Sequence, residues 1–163
     1  SYLKEMIQIL DTNYRYMTEN DIEVTREIEV KANPVPWTEK NFTDCLSNDY
    51  YCLIQEVNKE VSGFAIQTTS LKKTHLLNIG IREKFRKKGL GQDLLNQIVS
   101  TSKEMGSKKI FLEVRTSNKE AIELYNKSGF KKLSLKKNYY RLPDGREDAL
   151  VMVKKLRKAW RFF

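Results

Sequence analysis

A chain of 163 residues, 40% hydrophobic and 31% charged, has the size and composition of one globular domain with a sizeable core. No apolar run approaches the roughly 20 residues that span a membrane, and Lys4, Glu5 and Gln8 interrupt the N-terminal apolar residues, against a signal peptide. Thirty Lys and Arg against 21 Asp and Glu give a net charge of +9, which favours polyanionic partners such as nucleic acid, a phosphate-rich cofactor or the ribosome. Cys45 and Cys52 are too few for a disulfide framework and read as free thiols in a reducing cytosol. With His75 as the single histidine, a metal site is not expected.

In chain order, residues 1–13 form an N-terminal arm, a short helical turn or a flexible lead. Tyr14–Thr18 reads as a first strand and Asp21–Val30 as a helix. Asn33-Pro34-Val35-Pro36-Trp37 is a rigid break, since proline fixes φ and biases the preceding residue away from helix. Thr38 suits the N-cap of a short helix to Leu46, with Trp37 and Phe42 spaced as a hydrophobic staple. Tyr50–Val57 and Val61–Thr69 are β-rich runs around a turn at Asn58-Lys59-Glu60, and His75–Ile81 is a third. Leu90, Leu94, Leu95, Ile98, Val99 and Met105 recur with helical spacing, predicting a helix over Gly89–Met105 that Gly106 ends. Lys109–Arg115 alternates as a strand, with Ile110, Leu112 and Val114 on one face. Ser117 and Glu120 fit a capping box opening a helix to about Lys127, with Gly129 after its end. Phe130–Tyr140 and Asp148–Leu156 read as two more strands around a turn at Pro143-Asp144-Gly145. A basic, aromatic tail, residues 157–163, closes the chain, with the domain proper at 14–156.

Two stretches carry chemistry. The first is Arg86-Lys87-Lys88-Gly89-Leu90-Gly91, between the apolar run ending at Ile81 and a helix start. Glycines let backbone approach a ligand and tolerate positive φ, and the helix N-terminus offers free N–H groups and a partial positive charge. Three cations precede it, so the loop suits a pyrophosphate. It lacks both the Gly-Lys-Ser/Thr and the Gly-x-Gly-x-x-Gly patterns. Taken alone, it is equally a helix start with surface charge. The second is Leu112–Asn118 followed by Ala121, Leu124-Tyr125 and Gly129-Phe130. Asn118, Ala121 or Ile122, and Tyr125 share a helical face, and Glu113 ends a strand leading into that helix. Phe111 beside Glu113 is expected to desolvate it and raise its pKa toward a general-base value. A phenol of high pKa suits a general acid for a thiolate leaving group. The blander readings are a paired strand carboxylate and a core aromatic. His75, alone on a β pattern, reads as structural. Tyr139-Tyr140 divides between core and a substrate groove.

These residues resemble the GCN-five-related N-acetyltransferases (GNAT). Arg86-x-x-Gly89-x-Gly91 is similar to their acyl-coenzyme A loop, and Leu112–Phe130 to the motif that follows it. Within that family the chain resembles the RimI branch, bacterial ribosomal-protein-alanine N-acetyltransferases. The likeness runs through Pro36-Trp37-Thr38-Glu39-Lys40, Asn78-Ile79, Glu113-Val114-Arg115-x-Ser117-Asn118, Asn138-Tyr139-Tyr140 and Asp144–Ala149, and spans roughly Tyr14 to Lys155.

The resemblance implies one α/β domain of the α+β type. It would have a mixed sheet of about seven strands, splayed central parallel strands and about four helices. It implies that Ile79, Gly80 and Ile81 pair with the pantetheine arm of acetyl-CoA. Arg86, Lys87, Lys88, Gly89, Leu90, Gly91 and Gln92 would hold its pyrophosphate, and Asn118 its other side. Glu113 would be the base, directly or through water, and Tyr125 the acid, in direct acetyl transfer to an amine. Trp37, Tyr139 and Tyr140 would receive the substrate. The implied partner is a protein N-terminus, the N-terminal alanine of a small-subunit ribosomal protein. The implied setting is the cytoplasm, with no metal, no membrane, possible ribosome association, and a monomer or weak dimer. Other readings are acetylation of a lysine or small-molecule amine, or a non-catalytic ribosome- or RNA-binding module. The chain departs from the pattern at Gly80, where alanine is usual, and at Arg82, where an acidic residue is common.

Overall fold

In a computed structural model, residues 11–157 are described. The strands are β1 (Thr12–Tyr16), β2 (Tyr51–Val57), β3 (Glu60–Ser70), β4 (Lys73–Ile81), β5 (Lys109–Arg115), β6 (Lys131–Leu142) and β7 (Gly145–Lys155). The helices are α1 (Ile22–Ala32), α2 (Glu39–Ser47), α3 (Leu90–Glu104) and α4 (Lys119–Lys127). One mixed seven-stranded sheet runs β1-β2-β3-β4-β5-β7-β6, so the expected sheet and helices are observed. The chain divides into two units: residues up to Gln67 with Asn78–Leu94, and Thr68–Leu77 with the chain from Leu95.

In the first unit, β1 pairs antiparallel with β2 from Thr12↔Val57 to Tyr16↔Leu53, two residues ahead of the expected start at Tyr14. β2 pairs antiparallel with β3 across a two-residue turn, Asn58 and Lys59, both at positive φ as a type I′ turn requires. Cys52–Gln55 and Ser62–Gln67 are buried throughout, because helices cover a sheet whose strands are apolar on both faces. α1 starts later than expected. Asp21 closes a preceding 3₁₀ turn (Glu19–Asp21), accepting from the Thr18 N–H (2.8 Å) and both Arg15 nitrogens (2.7 Å each). α2 begins as expected: the Thr38 hydroxyl accepts from Asn41 N–H, and the Trp37 and Phe42 rings meet at 5.2 Å. Phe42 continues onto Phe64 at 5.6 Å, and both are fully buried. Gly80 explains its own departure from the family pattern. A Cβ there would lie 2.8 Å from Phe64 and 2.9 Å from Ile28, so its absence makes room for those two side chains.

In the second unit, β5 is the spine. It pairs antiparallel with β7 along its whole length, Lys109↔Lys155 to Arg115↔Ala149. With β4 its parallel register covers only Lys73–His75 against Lys109–Phe111. Ile110, Leu112 and Val114 face the core as the alternation predicts. β6 is an edge strand, and its exposed lysines guard the edge against pairing with other chains. A register shift between Lys136 and Tyr140 leaves Asn138 at positive φ, its N–H held by Asp148 (2.8 Å). α4 departs from the expected capping box. Asn118, not Ser117, is the N-cap and accepts from the Ala121 N–H (3.2 Å), because the Ser117 N–H is taken by Glu147 (2.9 Å). Gly129 at positive φ ends α4 as expected.

Candidate active site

In the first unit the loop between β4 and α3 is anchored by its apolar residues. Phe85 and Leu90 are buried in a cluster with Val57, and Ile81 packs against it. The Arg82 N–H is held by the Ser62 carbonyl (2.7 Å), and the Arg86 side chain donates from Nε to the Ile81 carbonyl (3.3 Å). Between these anchors the backbone turns through positive φ at Lys87 (60°) and Gly89 (78°). The Asp93 N–H then closes the first turn of α3 on the Gly89 carbonyl (3.1 Å). Leu90 and Gly91 open the helix, in the turn where a helix supplies its N–H groups no acceptor of its own. Gln55, fully buried, steadies the helix start by donating to the Leu90 carbonyl (2.9 Å). A left-handed turn, a helix start and flanking cations fit the pyrophosphate of a nucleotide-bearing cofactor. Ile79, Gly80 and Ile81 form the end of β4 that leads into this loop. Trp37 belongs to the same unit. Its N–H donates to the buried Glu29 carboxylate (2.8 Å), which fixes the Pro-Val-Pro-Trp turn.

In the second unit Glu113 is the centre. The alternation of β5 puts it on the same face as Phe111. His75, opposite Phe111 in the parallel register, brings its Nε2 to 2.5 Å from Glu113 Oε2. The imidazole stacks on the Phe111 ring, 4.3 Å between centroids and 17° between planes. From β6, Lys136 donates Nζ to Glu113 Oε1 (3.2 Å) and lies over the Tyr139 ring. Burial pushes the Glu113 carboxyl up, but His75 and Lys136 outweigh it and hold the pKa below its ordinary value. The expected rise is therefore reversed. Phe111 clamps the imidazole, and the imidazole, with a lysine, sets the carboxylate.

Two phenols belong to the same cluster. Tyr125, on α4, is buried against Phe130, and burial pushes its hydroxyl well above the ordinary tyrosine range. Tyr140 is raised by burial and by the Glu113 charge, and its ring lies 4.4 Å beneath the Arg115 guanidinium. Arg115 donates to the Arg141 carbonyl (3.0 Å) and pairs with Glu147 (3.3 Å). Tyr139 packs edge-on against Tyr140, 4.9 Å away. The structure thus gathers Glu113, Tyr125, Tyr139 and Tyr140, and places Asn118 at the start of the helix carrying Tyr125. The sequence reading missed His75 and Lys136 as partners of Glu113, and Arg115 and Glu147 as supports for Tyr140. Their signal is cross-strand register, which no local motif displays. Among the described residues no cluster of His, Cys, Asp or Glu suits a metal ion, and no helix is long and apolar enough to cross a membrane.

This architecture, a basic left-handed turn into a helix on a mixed sheet and a carboxylate–phenol cluster on β5 and α4, is that of an acetyltransferase. Residues 22–130 match the acetyltransferase (GNAT) family, and the chain belongs to it. It is an acetyl-CoA-dependent N-acetyltransferase. Over 132 residues it is 35% identical to the [ribosomal protein bS18]-alanine N-acetyltransferase of Escherichia coli K12, covering 81% of this chain and 89% of that one. Over 133 residues it is 39% identical to the Haemophilus influenzae protein of the same name, covering 81% and 90%. The crystal structure of the ribosomal-protein-S18-alanine N-acetyltransferase from Escherichia coli superposes with a TM-score of 0.83 at 31% identity. That alignment covers 93% of this chain and 99% of that one.

Proposed function

We propose that the chain acetylates the α-amine of a protein N-terminus, and that its substrate is the N-terminal alanine of a small-subunit ribosomal protein. The substrate assignment is supported by relatives carrying that name at 35% and 39% identity. The chemistry is carried by one observation: a buried carboxylate, Glu113, in contact with His75 and Lys136, in a cluster that also holds the phenols of Tyr125 and Tyr140.

Bound acetyl-CoA supplies the thioester carbon for attack. Lys87 to Gln92 and Arg86 would hold its pyrophosphate, the backbone of Ile79 to Ile81 would pair with its pantetheine arm, and Asn118 would bind the arm from the other side. Trp37, Tyr139 and Tyr140 receive the first residues of the substrate. The Glu113 carboxylate draws the ammonium and serves the base side of its deprotonation, directly or through water. Tyr125, protonated at neutral pH, serves the acid side for the departing thiolate. No covalent enzyme intermediate is needed, since holding amine and thioester together supplies much of the rate.

The depressed Glu113 carboxyl also bears on which amine is used. A carboxylate of low basicity extracts a proton weakly, so it suits an amine that needs least help. Near pH 7 an α-amine is about a tenth neutral, whereas a lysine is neutral in well under one part in a thousand. The proposed setting is the cytoplasm, with the enzyme acting as a monomer or weak dimer.

The test is thiol release with two peptides, one with a free N-terminal alanine and one blocked there with an internal lysine. Saturable release with the free terminus alone supports the assignment. Release with lysine alone moves the substrate to another amine. Release with neither amine or any other, alongside salt-sensitive RNA binding, replaces the enzyme reading with the binding module.

A further inference from the structure

Both oxygens of Glu113 are already occupied. Oε2 faces His75 Nε2 at 2.5 Å, and Oε1 accepts from Lys136 at 3.2 Å. An ionised carboxylate has only acceptors, so the hydrogen between Glu113 and His75 sits on the imidazole, at Nε2. In the neutral ring that places the lone pair on Nδ1. Among the described residues Nδ1 has no hydrogen-bond partner, and the side chain is 25% exposed, so water and small ligands reach the ring. Phe111, stacked at 4.3 Å, fixes the ring plane. A carboxylate that selects the tautomer, an aromatic wall that sets the orientation and a free ring nitrogen together describe a base built as a pair.

We propose that His75, not Glu113, takes the proton of the attacking amine, and that Glu113 is the positioning residue that holds the imidazole ready for it. This rests on the acetyl-transfer reading above and refines its base: the proton assigned there to Glu113 goes instead to the imidazole that Glu113 holds. The nitrogen lone pair forms the C–N bond and the C–S bond of the thioester breaks. The amine proton passes to His75 Nδ1, directly or through one water, and the thiolate takes a proton from Tyr125. The imidazolium so formed is stabilised by the Glu113 carboxylate it already touches. The other ionisable groups about the pair are Lys136 and Tyr140 on β6, Arg115 on β5 and Tyr125 on α4. The neighbouring end of β3, Gln67–Ser70, carries none.

His75 is the chain's single histidine, so one set of ring signals reports on it without assignment. The first test is nitrogen-detected NMR of the free enzyme at neutral pH. A dominant Nε2–H tautomer that is lost in Glu113→Gln supports the pair, and a dominant Nδ1–H tautomer overturns it. The second is the pH dependence of kcat/KM in wild type and His75→Gln, which keeps a donor for Glu113 but takes no proton. We expect a loss of about 10²- to 10⁴-fold with unchanged acetyl-CoA affinity, and loss of the basic-group limb of the pH profile. A loss under about threefold, with the limb retained, overturns the proposal. If wild-type enzyme acetylates no amine, the acetyl-transfer reading fails instead, while the tautomer measurement still decides the geometry of the pair.

Discussion

The loop at Arg86–Gln92 and the cluster around Glu113, to which the proposed function gives cofactor binding and proton transfer, are built in different ways. The loop is made of backbone. Its geometry comes from two residues at positive φ, a helix start, and two buried anchors, Phe85 and Leu90, beneath it. Its chemistry is local in sequence, so six consecutive residues display it. The cluster is made of side chains drawn from β4, β5, β6 and α4. Its chemistry depends on register, and a one-residue slip would turn Glu113 away from His75 and Lys136. A site of the first kind tolerates side-chain change and fails when backbone freedom is lost. A site of the second kind fails when a single polar atom is changed.

The largest effect should therefore come from Glu113→Gln. It keeps the shape of the cluster and removes the charge, and should lower kcat/KM by about 10³-fold while leaving the acetyl-CoA Kd within about twofold. Binding measured by calorimetry beside steady-state kinetics separates the two. Tyr125→Phe should lower kcat by about 10²-fold, again without weakening cofactor binding. Full activity in that variant would remove the acid assignment. Gly89→Val should do the opposite. Forcing a β-branched residue into the left-handed region costs about 1–2 kcal/mol, so the acetyl-CoA Kd should rise about 5- to 30-fold. A Cβ there meets nothing within 4 Å, so strain rather than collision is the cause. Once the cofactor is saturating, the pH profile should match wild type.

Asp21 supplies a control within the first unit. It too is a buried carboxylate, but both its oxygens are clamped by Arg15 at 2.7 Å, and the proposed chemistry gives it no part. The Arg15 hydrogen bond, against the opposing effect of burial, holds its carboxyl below the ordinary 3.8. A carboxyl depressed on folding stabilises the native state above its unfolded pKa and loses that contribution as pH falls through the folded value. Unfolding midpoints should thus drop as pH falls below about 3.8. In Asp21→Asn that drop should be shallower, with stability at pH 7 lower by about 1–3 kcal/mol and kcat unchanged.

How far the sequence is legible follows the same division. Helical spacing from Leu90 to Ile98, the Trp37–Phe42 staple and the alternation of β5 are local patterns, and each is observed. Three helices start one residue later than the sequence predicts, at Ile22, Leu90 and Lys119. In two of them a side chain or N–H counted toward the helix is engaged outside it, by Arg15 for Asp21 and by Glu147 for Ser117. Phe111, its neighbour on the strand, predicts a raised pKa for Glu113, but the direction is decided by His75, 38 residues earlier, and Lys136, 23 residues later. Gly80, a departure from the family pattern, is explained by Phe64 and Ile28, distant in sequence, which leave no room for a Cβ there.

One measurement bears most directly on the whole account. The small-subunit ribosomal protein with a free N-terminal alanine is incubated with acetyl-CoA and either wild-type or Glu113→Gln enzyme, and the acetyl group is located by tandem mass spectrometry. The account predicts acetylation of the α-amine by wild-type enzyme and almost none by the variant in the same time. Acetylation confined to lysine side chains, or equal α-amine acetylation by both enzymes, would contradict it.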